Sequence, residues 1–115
     1  MYPLLALAFL AQAAAPTIQP PRVIPYVEVV RCAGLTQAAS ELEGGESPEG
    51  RRLVDAALYW SLAASQAAMA GGRSPEEADT DQTRARILAV RQLGSGNAEA
   101  RADLATCRRR TPALD

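Results

Sequence analysis

Cys32 and Cys107 are the only cysteines of the sequence, and a disulfide between them is the clearest chemistry that its residues predict. Each cysteine lies on an apolar helical stripe, and the two stripes have the same spacing: Cys32, Leu35, Ala39 forward and Cys107, Leu104, Ala100 backward. Equal spacing predicts two antiparallel helices that pack side by side from a shared bond. A disulfide between Cys32 and Cys107 closes a loop of about 75 residues, and closing a loop of that length stabilises a domain by roughly 4 kcal/mol.

Three other roles for the two cysteines are free thiols, a redox pair and a metal site. Two free buried thiols would suit a cytosolic protein, whereas a redox pair normally forms a C-x-x-C motif, which this chain lacks. A thiolate metal site would need further ligands, and the chain has no His to supply them. The disulfide is the interpretation that agrees with an exported protein.

The residue types that usually activate a nucleophile are missing. The chain has no His, and all its basic residues are Arg, so neither a Ser–His nor a Cys–His pair can form. Acidic residues at 41–49 and 76–81 lie at predicted helix ends, where carboxylates are ordinarily solvated or capping groups. A net charge of −1 excludes the electrostatic footprint of a nucleic-acid binder. We therefore expect no catalysis, no cofactor, no metal site and no nucleic-acid partner.

Residues 1–13 have the pattern of a signal peptide. The apolar run Leu4–Leu10 is followed by Ala11-Gln12-Ala13, a small-x-small cleavage motif that would start the mature chain near Ala14. An uncleaved anchor is the alternative, but about a dozen apolar residues cannot span a hydrocarbon core of ~30 Å. We expect no stable membrane span after cleavage, and a periplasmic or secreted location.

Residues 14–25 are rich in proline and predict an extended tether, with a proline-rich docking motif as the sharper alternative. The remainder, 26–115, predicts a helical domain with four helices: about 26–43, 47–69, 74 to the Gly94-Ser95-Gly96 break, and about 98–109. The β-branched start, residues 26–30, fits either a helix or a short strand. The predicted fold is all-α, a small four-helix bundle-like domain with one disulfide, preceded by the signal peptide and the Pro-rich segment.

The stretch 47–69 is apolar around most of its circumference, which predicts a central helix covered by the other three. One band on it, with Trp60 at its edge, is expected to be partly open and to form a homodimer seam or a docking surface for a partner: Ala56, Ala63, Ala67, Ala70. Its polar rim would consist of Asp55, Tyr59 and Gln66. The alternatives are a fully covered band with Trp60 in the core, and an Asp55 that is either solvated or paired with an arginine of another helix.

Arg108, Arg109 and Arg110 close the last predicted helix, where cations are favoured by the helix dipole. Contact with an anionic lipid or an acidic partner is the alternative role for this cluster.

The predicted plan, with a signal peptide, helices only and one disulfide between distant segments, resembles that of the small periplasmic acid-stress chaperones. Small periplasmic inhibitors and immunity proteins share the same plan. Only the two cysteines match, so the resemblance assigns no functional residue. We expect an exported protein that acts by protein–protein binding, as a chaperone, inhibitor or adaptor does, without catalysis. The alternative is a structural accessory subunit of a cell-envelope assembly.

Overall fold

The computed structural model describes residues 24–113, which contain four α-helices and no strand. They are α1 (Tyr26–Glu43), α2 (Pro48–Ala70), α3 (Pro75–Gly94) and α4 (Ala98–Arg109). The predicted all-α fold is confirmed, and residues 26–30 are helical. The predicted signal peptide and residues 14–23 of the Pro-rich segment lie outside the described residues.

Local capping sets the start of three helices. In each, a polar side chain accepts the backbone N–H three residues later: Ser47 from Gly50 at 2.9 Å, Ser74 from Glu77 at 3.1 Å, and Asn97 from Ala100 at 2.9 Å. At α3 the Glu77 carboxylate also accepts the backbone N–H of Ser74 at 3.0 Å, which completes a capping box. Because these hydrogen bonds are local, the predicted helix bounds agree closely with the observed ones.

The central helix is α1, and the prediction that α2 is central is wrong. Helix α1 packs against all three other helices and buries nine of its 18 residues: Val29, Val30, Cys32, Ala33, Gly34, Leu35, Thr36, Ala38, Ala39. Helix α2 buries only seven of its 23 residues. Small side chains explain the difference, because they let neighbouring helices approach α1 closely on several sides.

The closest approach is the crossing of α1 and α3 at Gly34. A Cβ atom added to Gly34 would lie 2.5 Å from the carbonyl carbon of Ala85 and 2.7 Å from its Cβ. Because backbone atoms cannot move aside as a flexible side chain does, only glycine fits at this crossing. Helix α3 is otherwise the most solvated helix, since only Ala78 and Ala89 of its 20 residues are buried.

Gly34→Ala is expected to lower the free energy of unfolding by about 1–3 kcal/mol, because the added methyl group forces α1 and α3 apart. Gly94→Ala is the matched control, since Gly94 ends α3 with no atom within 4 Å of a Cβ added there. That control should leave stability unchanged or raise it slightly. Urea unfolding followed by circular dichroism measures both variants, and equal stability of the two would contradict the close crossing.

The core is formed mostly by α1 and α2, with smaller contributions from α3 and α4, and its largest fully buried side chains are Trp60, Leu35 and Thr36. The Thr36 hydroxyl donates to the Cys32 carbonyl oxygen at 2.7 Å, so this buried hydroxyl group has a hydrogen-bond partner.

None of the helices within residues 24–113 has the length and apolar character needed to cross a membrane.

Candidate functional site: the open face of helix α2

The predicted disulfide is present and joins α1 to α4. Cys32 and Cys107 are 75 residues apart in sequence, their Cα atoms are 5.4 Å apart, and each residue is 3% exposed. Helix α4 buries only Ala100 and Cys107 among its 12 residues. The disulfide is therefore a principal attachment of α4 to the rest of the fold.

The predicted alanine band is mostly not an open surface. Trp60 is fully buried and Ala56 is 5% exposed, so neither can meet a partner in the folded monomer. The Trp60 ring packs in the core with Tyr59 edge-on at 5.1 Å, and its Nε1–H donates to the Thr111 hydroxyl at 2.8 Å. Burial excludes Ala56 from an open band and agrees with the alternative that places Trp60 in the core, where the small side chains of α1 leave room for the indole.

The remaining residues of that prediction lie nearer the surface. Ala63 and Ala67 are partly buried, and Ala70 is exposed. In the predicted polar rim, Tyr59 is partly buried, whereas Asp55 and Gln66 are exposed. Within residues 24–113, Asp55 forms no ion pair, which agrees with the solvated alternative. A binding role for these residues stays a prediction.

The apolar surface that α2 leaves uncovered lies beside the predicted band. Four large side chains form this open face, with exposed fractions of 40%, 57%, 63% and 74%: Val54, Leu58, Leu62, Met69. Their spacing keeps them on one side of the helix. The prediction that the other three helices cover the stretch 47–69 is therefore wrong along this stripe. Contiguous exposed apolar side chains, unlike scattered ones, mark interaction surfaces.

Polar side chains border the open face on both sides. Asp55 and Gln66 lie along one side, at 100° per residue around the helix. On the other side, Asp79 and Gln82 of α3 lie across a groove from Ser65 and Met69, and the Gln82 amide donates to the Ser65 hydroxyl at 3.3 Å. An apolar strip with a polar rim is the usual composition of a protein–protein interface.

The arginine cluster makes contacts within the chain. Arg108 pairs with Glu49 at the start of α2, and Arg110 lies 3.7 Å from Glu28 of α1. These contacts hold the end of α4 over the first turns of α1 and α2. Hydrogen bonding from Arg108 lowers the pKa of Glu49 below its usual value of 4.5.

Tyr26, Arg73 and Asp81 form a polar cluster that the sequence does not predict. The Tyr26 hydroxyl donates to Asp81 Oδ2 at 2.9 Å, and Arg73 lies 3.1 Å from Asp81 and 4.8 Å above the Tyr26 ring. Burial, followed by the hydrogen bond to Asp81, raises the pKa of Tyr26 above 10.0. These three residues connect the start of α1 to α3 and to the α2–α3 loop. No short-range pattern signals a pair 55 residues apart.

Acid is expected to destabilise the fold below about pH 4.5, because the pKa values of Glu77 and Glu49 are both lowered from 4.5. The backbone N–H of Ser74 lowers the pKa of Glu77. A lowered folded-state pKa contributes stability above the unfolded-state pKa, and this stability is lost as pH falls through the folded-state value. Tm should therefore be level between neutral pH and about pH 5 and should then decline.

Glu77→Gln tests the contribution of the ionised Glu77 carboxylate, since Gln keeps the reciprocal hydrogen bond of the capping box and does not titrate. The Tm difference between the parent and this variant should narrow as the pH falls below about 4.5. Thermal unfolding at a series of pH values measures it. A difference that stays constant at acidic pH would exclude Glu77 as a source of the acid sensitivity.

Comparison of the chain with protein families, with curated proteins and with solved structures finds no match.

Proposed function

We propose that this protein is exported and acts by binding another protein chain through the open face of α2, without catalysis. The observation that carries the proposal is the continuous exposure of Val54, Leu58, Leu62 and Met69 on one side of a single helix. Leaving four large apolar side chains in water forgoes roughly 1.5–3 kcal/mol for each one that could be fully buried. A partner that covers the face recovers part of this free energy.

The spacing of the apolar side chains on the open face is typical of binding through a helix. Side chains four residues apart on a rigid helix are the usual anchors of helix-mediated binding. Val54, Leu58 and Leu62 have this spacing. The Ser47 cap fixes the start of α2 and the buried Trp60 anchors the helix in the core, so little conformational entropy is lost on binding.

Export is supported by the disulfide, which persists in oxidising compartments, and by the signal-peptide pattern of residues 1–13. The test is the intact mass of the protein recovered from the periplasm of a bacterial host that expresses the full chain. The expected mass corresponds to a mature chain that starts near Ala14 and contains one disulfide. A retained Met1 would contradict cleaved export.

Binding is tested with Leu62→Arg, which places a charge at the centre of the open face. Leu62 is 63% exposed, so the variant should keep the Tm of the parent while losing its capacity to bind a protein chain. Leu88→Arg is the matched control, because Leu88 is 49% exposed but belongs to α3. Affinity capture from periplasmic extract and sedimentation measure binding to other proteins and to itself. Equal binding by the parent and both variants would refute a role for the open face.

A further inference from the structure

We infer that the occupant of the open face is a second copy of this chain, packed antiparallel through α2 in a two-fold homodimer. This inference rests on the proposed function and names the partner. It depends on the order of apolar, polar and charged residues along α2, which is complementary to itself when reversed. A two-fold interface requires such self-complementarity, since the same surface of both copies forms it.

The apolar centre fits this arrangement. If two antiparallel α2 helices have their midpoint at the level of Trp60, Leu58 of one copy lies at the level of Leu62 of the other. Symmetry repeats the contact, so four leucines form the centre of the seam. Met69 lies at the level of residue 51 of the second copy, where the aliphatic part of Arg51 can cover it.

The polar rim is matched by the same register. Asp55 precedes the midpoint by five residues and Gln66 follows it by six, on the same side of the helix. Reversal therefore brings the Gln66 amide of one copy to the Asp55 carboxylate of the other, a donor to an acceptor. Within residues 24–113 neither side chain forms a hydrogen bond or ion pair, and both are exposed.

The charged ends are matched as well. Arg51 is exposed at the start of the open face and Asp79 borders Met69 at its end. Arg51 donates to the Glu46 carbonyl oxygen at 2.7 Å, but neither it nor Asp79 has an oppositely charged partner within the described part of the chain. Antiparallel pairing sets Arg51 of each copy beside Asp79 of the other.

A parallel pairing would instead place a residue at the middle of the width of the open face beside the same residue of the other copy. Arg51, near the middle of that width, would then face Arg51 of the other copy, and two like charges repel at close range. The charge pattern therefore selects the antiparallel orientation. It also distinguishes a second copy from an unrelated apolar partner, which would have no reason to match Asp55, Gln66, Arg51 and Asp79 together.

Analytical ultracentrifugation of the mature protein tests the homodimer. We expect a concentration-dependent dimer for the parent and for Leu88→Arg, and a monomer for Leu62→Arg. Arg51→Asp and Asp79→Arg should each weaken the dimer by about tenfold, because each creates two like-charge contacts. The double variant should restore the affinity of the parent, since the exchanged charges again face each other. Both charged residues are exposed, so these variants should fold even if Leu62→Arg does not.

A parent that stays monomeric at high concentration would overturn the homodimer. If that monomer still captures a protein and Leu62→Arg does not, the proposed function stands while this inference fails. If the parent dimerises but the two charge variants and their double variant all associate like the parent, the antiparallel register is wrong.

Discussion

Replacing Cys32 and Cys107 together with serine is expected to lower Tm by well over ten degrees. Closing a loop of 75 residues stabilises a fold by roughly 4 kcal/mol in the chain-entropy model. For a domain of this size, each kcal/mol corresponds to about 4–8 °C in Tm. Helix α4 is the element most affected, since it buries only two residues and one of them is Cys107.

Thermal unfolding by circular dichroism measures the effect, and non-reducing peptide mapping should find the linked pair in the parent. Replacing both cysteines with alanine is the control, because it removes the bond without placing hydroxyl groups in the core. Both double variants should be destabilised to a similar extent. A double variant as stable as the parent would refute a stabilising role for the disulfide.

Trp60→Ala is expected to destabilise the fold by about 3–5 kcal/mol, because it removes a fully buried indole from the core. The cavity would lie between α1 and α2, and the Thr111 hydroxyl would lose its donor. That hydroxyl itself donates to the Cys107 carbonyl oxygen at 2.8 Å, so the indole also helps to hold the end of α4.

Thr111→Val separates the hydrogen bond from the packing. It leaves the indole in place with an unpaired N–H and should cost about 1–3 kcal/mol, less than Trp60→Ala. Urea unfolding followed by Trp60 fluorescence measures Thr111→Val, and circular dichroism measures Trp60→Ala. If Trp60→Ala kept the stability of the parent and lost only binding, the tryptophan would be an interface residue rather than a core residue.

Features that depend on local geometry were predictable from the sequence. Ser47, Ser74 and Asn97 cap helices through hydrogen bonds to residues three positions away, so a short window contains both partners. The disulfide was also predictable, because both cysteines lie on stripes with equal spacing and only one pairing exists. The residues of the open face were visible as an apolar stripe, although their exposure was not.

Burial was decided by the tertiary structure alone. Hydrophobicity favoured α2 as the central helix, but Gly34 and the alanines of α1 leave room for close helix approach, and packing distance determines which helix is surrounded. Packing distance, rather than hydrophobicity, also buried Trp60 in the core and left Leu58 and Leu62 exposed. The pairings of Tyr26 with Asp81 and of Arg108 with Glu49 likewise had no local signal. Every arginine has many carboxylates available in the sequence, and only the packing of distant helices selects one of them.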